Sequence, residues 1–231
     1  MSGMRMRKAI EAVARHFAAE WEGGDSRSDG YLVFAGQRIA VKIATLKRGL
    51  AGRDKPRLRF DRVVLSLTRR LQSSLRDTVP DGKAVIVAVT APIRVPSKTA
   101  VALEENVQSC LLRQSARVDV AASINENRTR IRVVRGVPSG ASKVIVFVHN
   151  PETDADVLLD VTQSMLECLG KAAGKPAQRK STGDRWLVVA NDGGPSHIDT
   201  YRQVYSQLSI STGFKKILMV LDGGRVEALS G

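Results

Sequence analysis

Apolar residues recur along this chain with two periods, and the period changes mark its elements. Ile10, Val13, Ala14, Phe17 and Trp21 fall three and four apart, which predicts a helix over residues 4–22, ended by the GGDSRSDG stretch. Tyr31–Ala35 and Arg38–Leu46 then read as two strands joined at Gly36-Gln37, with Ile39, Val41 and Ile43 on one face of the second. Residues 47–59, KRGLAGRDKPRLR, form a basic loop. Val64, Leu67, Leu71 and Leu75 make the apolar side of a helix over 61–76, with Arg62, Arg69 and Arg76 nearly opposite. After a turn over Thr78–Gly82, Lys83–Ala91 is a buried strand. A helix follows, capped by Ser97 or Thr99 and running to about Gln114, with Leu103, Val107, Cys110 and Leu111 inward.

Beyond it, Arg117–Ile124 and Arg128–Val134 read as a hairpin around Asn125-Glu126-Asn127. In its second strand Arg128, Arg130 and Arg132 alternate with Thr129, Ile131 and Val133, which predicts one basic, solvated face. Val144–Val148 is a further buried strand, and Asp154–Leu169 a helix with Val157, Leu158, Val161, Met165 and Leu169 inward. Residues 170–184 read as a flexible basic loop, Trp186–Ala190 as a strand, His197–Leu208 as a helix and Lys216–Leu221 as a last strand. Alternation of strands and helices from residue 83 onward predicts crossover connections. The expected fold is α/β: a single domain over 1–231 with one mixed, largely parallel sheet flanked by helices, and two antiparallel hairpins. Its basic N-terminal part spans about 1–115 and a more regular βα part about 116–231.

Charge changes this picture more than composition does. The segment from Arg38 to Arg76 holds twelve basic residues against Asp54 and Asp61, a net +10 out of +13 for the chain. A surface built only for solubility mixes both signs, so a concentrated cationic segment points to a polyanion: nucleic acid, or an acidic protein partner. Lys47, Arg48, Arg53, Lys55, Arg57, Arg59, Arg62, Arg69 and Arg76 are the candidate phosphate contacts. Aromatic residues make up only 4 % of the chain, which argues against a protein that grips single strands mainly by base stacking. Cys110 and Cys168 each sit among apolar residues at helical spacing and read as buried thiols of a reducing compartment, not as a disulfide or a metal pair. The apolar runs are too short to span a bilayer, and the N-terminus lacks the continuous apolar stretch of a secretion signal. The expected location is cytoplasmic, with no membrane partner.

Two constellations are candidates for chemistry. In the first, Glu20 ends the opening helix, Asp29 opens a strand, and RIAVKIA fills the next one. Over about residues 5–45 this resembles the entry to the restriction-endonuclease-like PD-(D/E)XK fold. That resemblance implies a helix Glu, a strand Asp and a Glu-x-Lys around a divalent metal, with the lysine assisting the attacking water. The chain departs from the pattern where the metal would sit. With Lys42 as the family lysine, Ala40 stands at the second carboxylate; in the other alignment, Lys42 takes the Glu position and Ala44 the Lys position. No intact metal motif remains, and the resemblance implies a non-catalytic relative that still holds nucleic acid.

The second constellation is the set of polar strand ends: Thr90 to Arg94, His149 to Asp154, Asn191 to His197, and Asp222 to Arg225. In one parallel sheet these would meet along a ligand-binding edge, where His149, Asp154, Asp192, His197 and Asp222 are candidates for a metal- or phosphate-dependent hydrolase. Thr153-x-x-Asp156 and Ser196-x-x-Asp199 also fit ordinary capping boxes, and Asp-Gly-Gly ordinary turn chemistry. Gly170-Lys171 to Gly174-Lys175 lacks the spacing and the Ser/Thr of a phosphate loop and fits a helix C-cap instead. No GxSxG, HExxH or dinucleotide GxGxxG occurs.

Overall fold

The structure, a computed structural model, describes residues 2–24, 29–34, 36–46, 62–113, 115, 118–151, 154–174, 184–192 and 198–230, and at 2–5, 62 and 174 the backbone alone. The elements are α1 (Ser2–His16), β1 (Glu20–Gly23), β2 (Asp29–Phe34), β3 (Gln37–Leu46), α2 (Arg62–Leu75), β4 (Lys83–Thr90), α3 (Pro96–Leu112), β5 (Val118–Ile124) and β6 (Asn127–Arg135), then β7 (Val144–His149), α4 (Ala155–Gly174), β8 (Arg185–Asn191), α5 (Ile198–Leu208), β9 (Lys216–Val220) and β10 (Val226–Ser230).

The strands form two sheets, not one. The first has the order β1-β2-β3-β8-β9-β10 and the second β5-β6-β4-β7. Both are mixed. Only β3 with β8, β8 with β9 and β4 with β7 are parallel; the other neighbours are antiparallel. The expectation of a single, largely parallel sheet is corrected here, while the α/β class and both hairpins, β2–β3 and β5–β6, stand.

Helices fill three layers around these sheets. Outside the first sheet, Ile10 and Val13 of α1 pack on Ile39, Val41, Ile43, Trp186 and Val188. Outside the second, Leu67 and Leu71 of α2 and Leu103 and Val107 of α3 pack on Val85, Val87, Val146 and Ile131. Between the sheets lie α4 and α5. The middle core joins Ile86, Ile145 and Phe147 of the second sheet to Leu187, Val189, Ile217 and Met219 of the first, through Leu158, Val161, Met165 and Tyr201. A helix covered by two sheets must be apolar over most of its circumference. Accordingly Val157, Leu158, Leu159, Val161, Met165, Leu166 and Leu169 of α4 are all buried.

Several boundaries differ from the expectation. The first helix stops at His16, and Glu20 opens a strand instead of ending the helix. α4 runs on to Gly174, into the expected loop over 170–184, whose residues 175–183 lie outside the described residues. Gly170 therefore lies inside the helix; a Cβ there would stand 3.1 Å from Pro138 Cδ, so its role is close packing and not C-capping. No helix among the described residues is long and apolar enough to cross a membrane.

Candidate functional site

The β1–β3 meander places the first constellation. Directly opposed residues of antiparallel strands share a face, and the register pairs Asp29 with Lys42, Tyr31 with Ala40 and Glu22 with Tyr31. Asp29 and Lys42 thus neighbour each other on the face turned to α4, while Ile39, Val41 and Ile43 share the other face, as expected, and that face turns to α1. Lys42 does not stand in solvent: its Nζ donates to the Ala172 carbonyl near the end of α4, at 3.0 Å. Ala40 is half-buried, and Tyr31 of β2 stands opposite it. Glu20 is exposed on an edge strand. No group of three His, Cys, Asp or Glu among the described residues is arranged to hold a metal ion.

The second constellation is divided between the sheets. Asn191, Asp192, Asp222, Gly223 and Gly224 join Lys8 of α1 around a cavity of ≈ 420 Å³ at the ends of β8 and β9. Tyr201 donates to Asn191 Oδ1 at 3.1 Å and fixes that strand end; burial raises the tyrosine pKa well above its ordinary value. His149, Asp154 and Thr90 line a different cavity, of ≈ 460 Å³, against the second sheet. The two cavities share no lining residue, so His149 and Asp192 do not face one cleft. His197 lies outside the described residues, as do Thr153 and Ser196. Asp154 caps α4, its Oδ1 accepting from the Asp156 N–H at 2.8 Å.

His149 is only 3 % exposed. Its Nδ1 donates to the Asn150 carbonyl at 2.9 Å, which directs Nε2 to the Thr90 hydroxyl at 3.4 Å across the parallel pair of β4 and β7. A buried, oriented imidazole beside a cavity is a better-built element than a solvated turn histidine.

The same side of the second sheet carries a network that strand alternation did not reveal. Arg132, expected in solvent, is 3 % exposed. It donates to Asp119 Oδ2 at 2.6 Å and to Asp160 Oδ1 at 2.5 Å. Arg130 meets Asp119 at 2.9 Å and Asp156 at 2.7 Å. The basic face of β6 is thus mostly internal, because α4 lies over it with carboxylates one helical turn apart. Burial raises the Asp119 carboxyl pKa, but the hydrogen bonds and charges of Arg132 and Arg130 more than offset this and leave it below the ordinary carboxylate value. The spacing of Asp156 and Asp160 was the one sequence signal for this pairing.

Of the basic segment, Arg69 and Arg76 are exposed, and neither makes an ion pair among the described residues. Arg62 opens α2 as backbone. Arg70 meets Glu104 of α3 at 3.1 Å, and Arg38 meets Glu22 at 2.7 Å. Lys47, Arg48, Arg53, Lys55, Arg57 and Arg59 lie outside the described residues. The chain matches no protein-family model, no curated protein and no solved structure.

Proposed function

We propose that this is a nucleic-acid-associated binding protein that holds DNA or RNA by phosphate contacts along residues 47–76, and that its β1–β3 unit is a catalytically degenerate relative of the restriction-endonuclease-like fold. The observation that carries the reading is the segregation of charge. On β6, by contrast, Arg130 and Arg132 are neutralised inside the fold. In the basic segment twelve cationic residues stand against two acidic ones; Glu22 and Glu104 from outside it meet Arg38 and Arg70, while Arg69 of α2 and Arg76 just past its end stand exposed. The degenerate character is supported by Lys42 being engaged with a helix carbonyl and by Ala40 in place of a carboxylate.

Phosphate contacts give affinity that falls steeply with salt and depends little on sequence. Anisotropy titrations of fluorescent duplex and single-stranded oligonucleotides are expected to show binding at about 50 mM salt that is lost by a few hundred millimolar. Charge reversal of Arg53, Arg57 and Arg59 to Glu should abolish it while the circular dichroism spectrum is unchanged. Reversal of Arg69 and Arg76 should weaken it at least about tenfold and flatten the salt dependence. No binding at low salt, or binding indifferent to salt, sinks the reading.

A further inference from the structure

Three arginines stand two residues apart on one face of β6 and climb from the core to the surface. Arg132 is buried, Arg130 half-buried and Arg128 exposed. Across the hairpin they oppose Asp119, Ala121 and Ser123. The first two are met by carboxylates of α4, Asp160 for Arg132 and Asp156 for Arg130. The guanidinium of Arg128 makes no hydrogen bond or ion pair among the described residues. In place of a protein carboxylate there is the ≈ 460 Å³ cavity, with Arg128, Ser123, Thr90 and His149 in its wall. Its volume is within the range of small-molecule sites.

We propose that this cavity binds a small molecule bearing a phosphate or carboxylate, whose oxygens meet Arg128 as Asp156 and Asp160 meet Arg130 and Arg132. A guanidinium presents a planar fork of donors suited to either oxyanion. The acidic residues in the wall do not oppose this. Asp156 is held by Arg130, and Asp154 is turned to the backbone of α4 as its cap. Arg128 is therefore the one charged group in the wall with neither an ion pair nor a hydrogen bond among the described residues. The remainder is a rigid frame: His149 and Thr129 are each 3 % exposed, with Thr129 donating to the Ala122 carbonyl at 2.9 Å. Ala88 and Ala121 also line the cavity, and their small side chains leave room for the body of the ligand beside its charged group. This inference does not depend on the nucleic-acid reading, since none of the residues 47–76 lines the cavity.

The test is an NMR titration of the full-length labelled chain with inorganic phosphate, acetate and a nucleoside monophosphate in turn. Saturable shifts of the Ser123, Arg128 and Thr90 amides by at least one probe below about 10 mM are expected. Arg128→Gln should weaken that probe at least about tenfold, Arg128→Lys should retain part of the affinity, and Arg69→Glu with Arg76→Glu should leave it unchanged. Phosphate and acetate separate the two oxyanion chemistries. The proposal is overturned if no probe saturates or if Arg128→Gln binds as tightly as the parent. Arg128 is exposed, so its variants are expected to keep the parent spectrum elsewhere, and this serves as the control for folding.

Discussion

At the scale of single residues, burial decides what side chains do. A cysteine reacts as its thiolate. Burial pushes the Cys168 thiol up to about 12, with Lys171 drawing it only partly back, and burial raises Cys110 as well. Both are free and lie in apolar clusters. In the folded protein at neutral pH neither should react with iodoacetamide, and intact-mass spectra should show two adducts only after denaturation; prompt alkylation of either thiol in the native chain would contradict its burial. The sequence foretold this, because helical spacing among apolar neighbours is itself a statement about burial. It did not foretell Lys42, whose polar partner, Ala172, lies 130 positions later in the chain. A local pattern says which face a side chain takes but not what waits there.

The same limit operates on whole elements, and β6 is the clearest case. Arg128, Arg130 and Arg132 alternate with apolar residues, which normally describes a strand with one wet face. Here α4 covers part of that face, so Arg132 and Arg130 become ties between the second sheet and the central helix. Removing one partner of a buried pair leaves charge without compensation, which costs about 3–5 kcal/mol. Arg132→Ala is therefore expected to lower unfolding free energy by that amount in urea titration. Arg132→Met with Asp160→Leu should cost less than the single change, since one carboxylate no longer needs a partner. The tie also predicts acid sensitivity. The Asp119 carboxyl lies below its ordinary value in the folded chain, so its contribution is complete above the unfolded pKa near ~3.9 and is lost as pH falls through the lower folded value. Asp119→Asn should flatten the stability profile below about pH 4 relative to the parent, and an unaltered slope there would remove Asp119 from the account.

For the whole molecule, the sequence conveyed the class and most elements but not the division into two sheets. β4, β7, β8 and β9 are all apolar runs, and nothing local distinguishes which of them will be neighbours. β1 and β10 are short edge strands of four and five residues with little apolar signal; the periodicity draws Glu20 to Glu22 of β1 into the opening helix and gives no element at β10. The strand ends expected along one edge were consequently dealt to two cavities. Chain path and core composition now make opposite suggestions about folding. The path leaves the first sheet after β3, builds the second, and returns at β8, as an inserted unit would. The core is common to both sheets through α4 and α5, as in one cooperative domain. Phe147→Ala discriminates between them. Phe147 is fully buried in that shared core on the second sheet, whereas both tryptophans, Trp21 and Trp186, belong to the first. Losing the ring should cost about 3–5 kcal/mol. In a cooperative domain the tryptophan fluorescence midpoint in urea falls together with the circular dichroism midpoint. If the fluorescence transition stays in place while the dichroism splits in two, the second sheet unfolds alone and the shared core does not couple them.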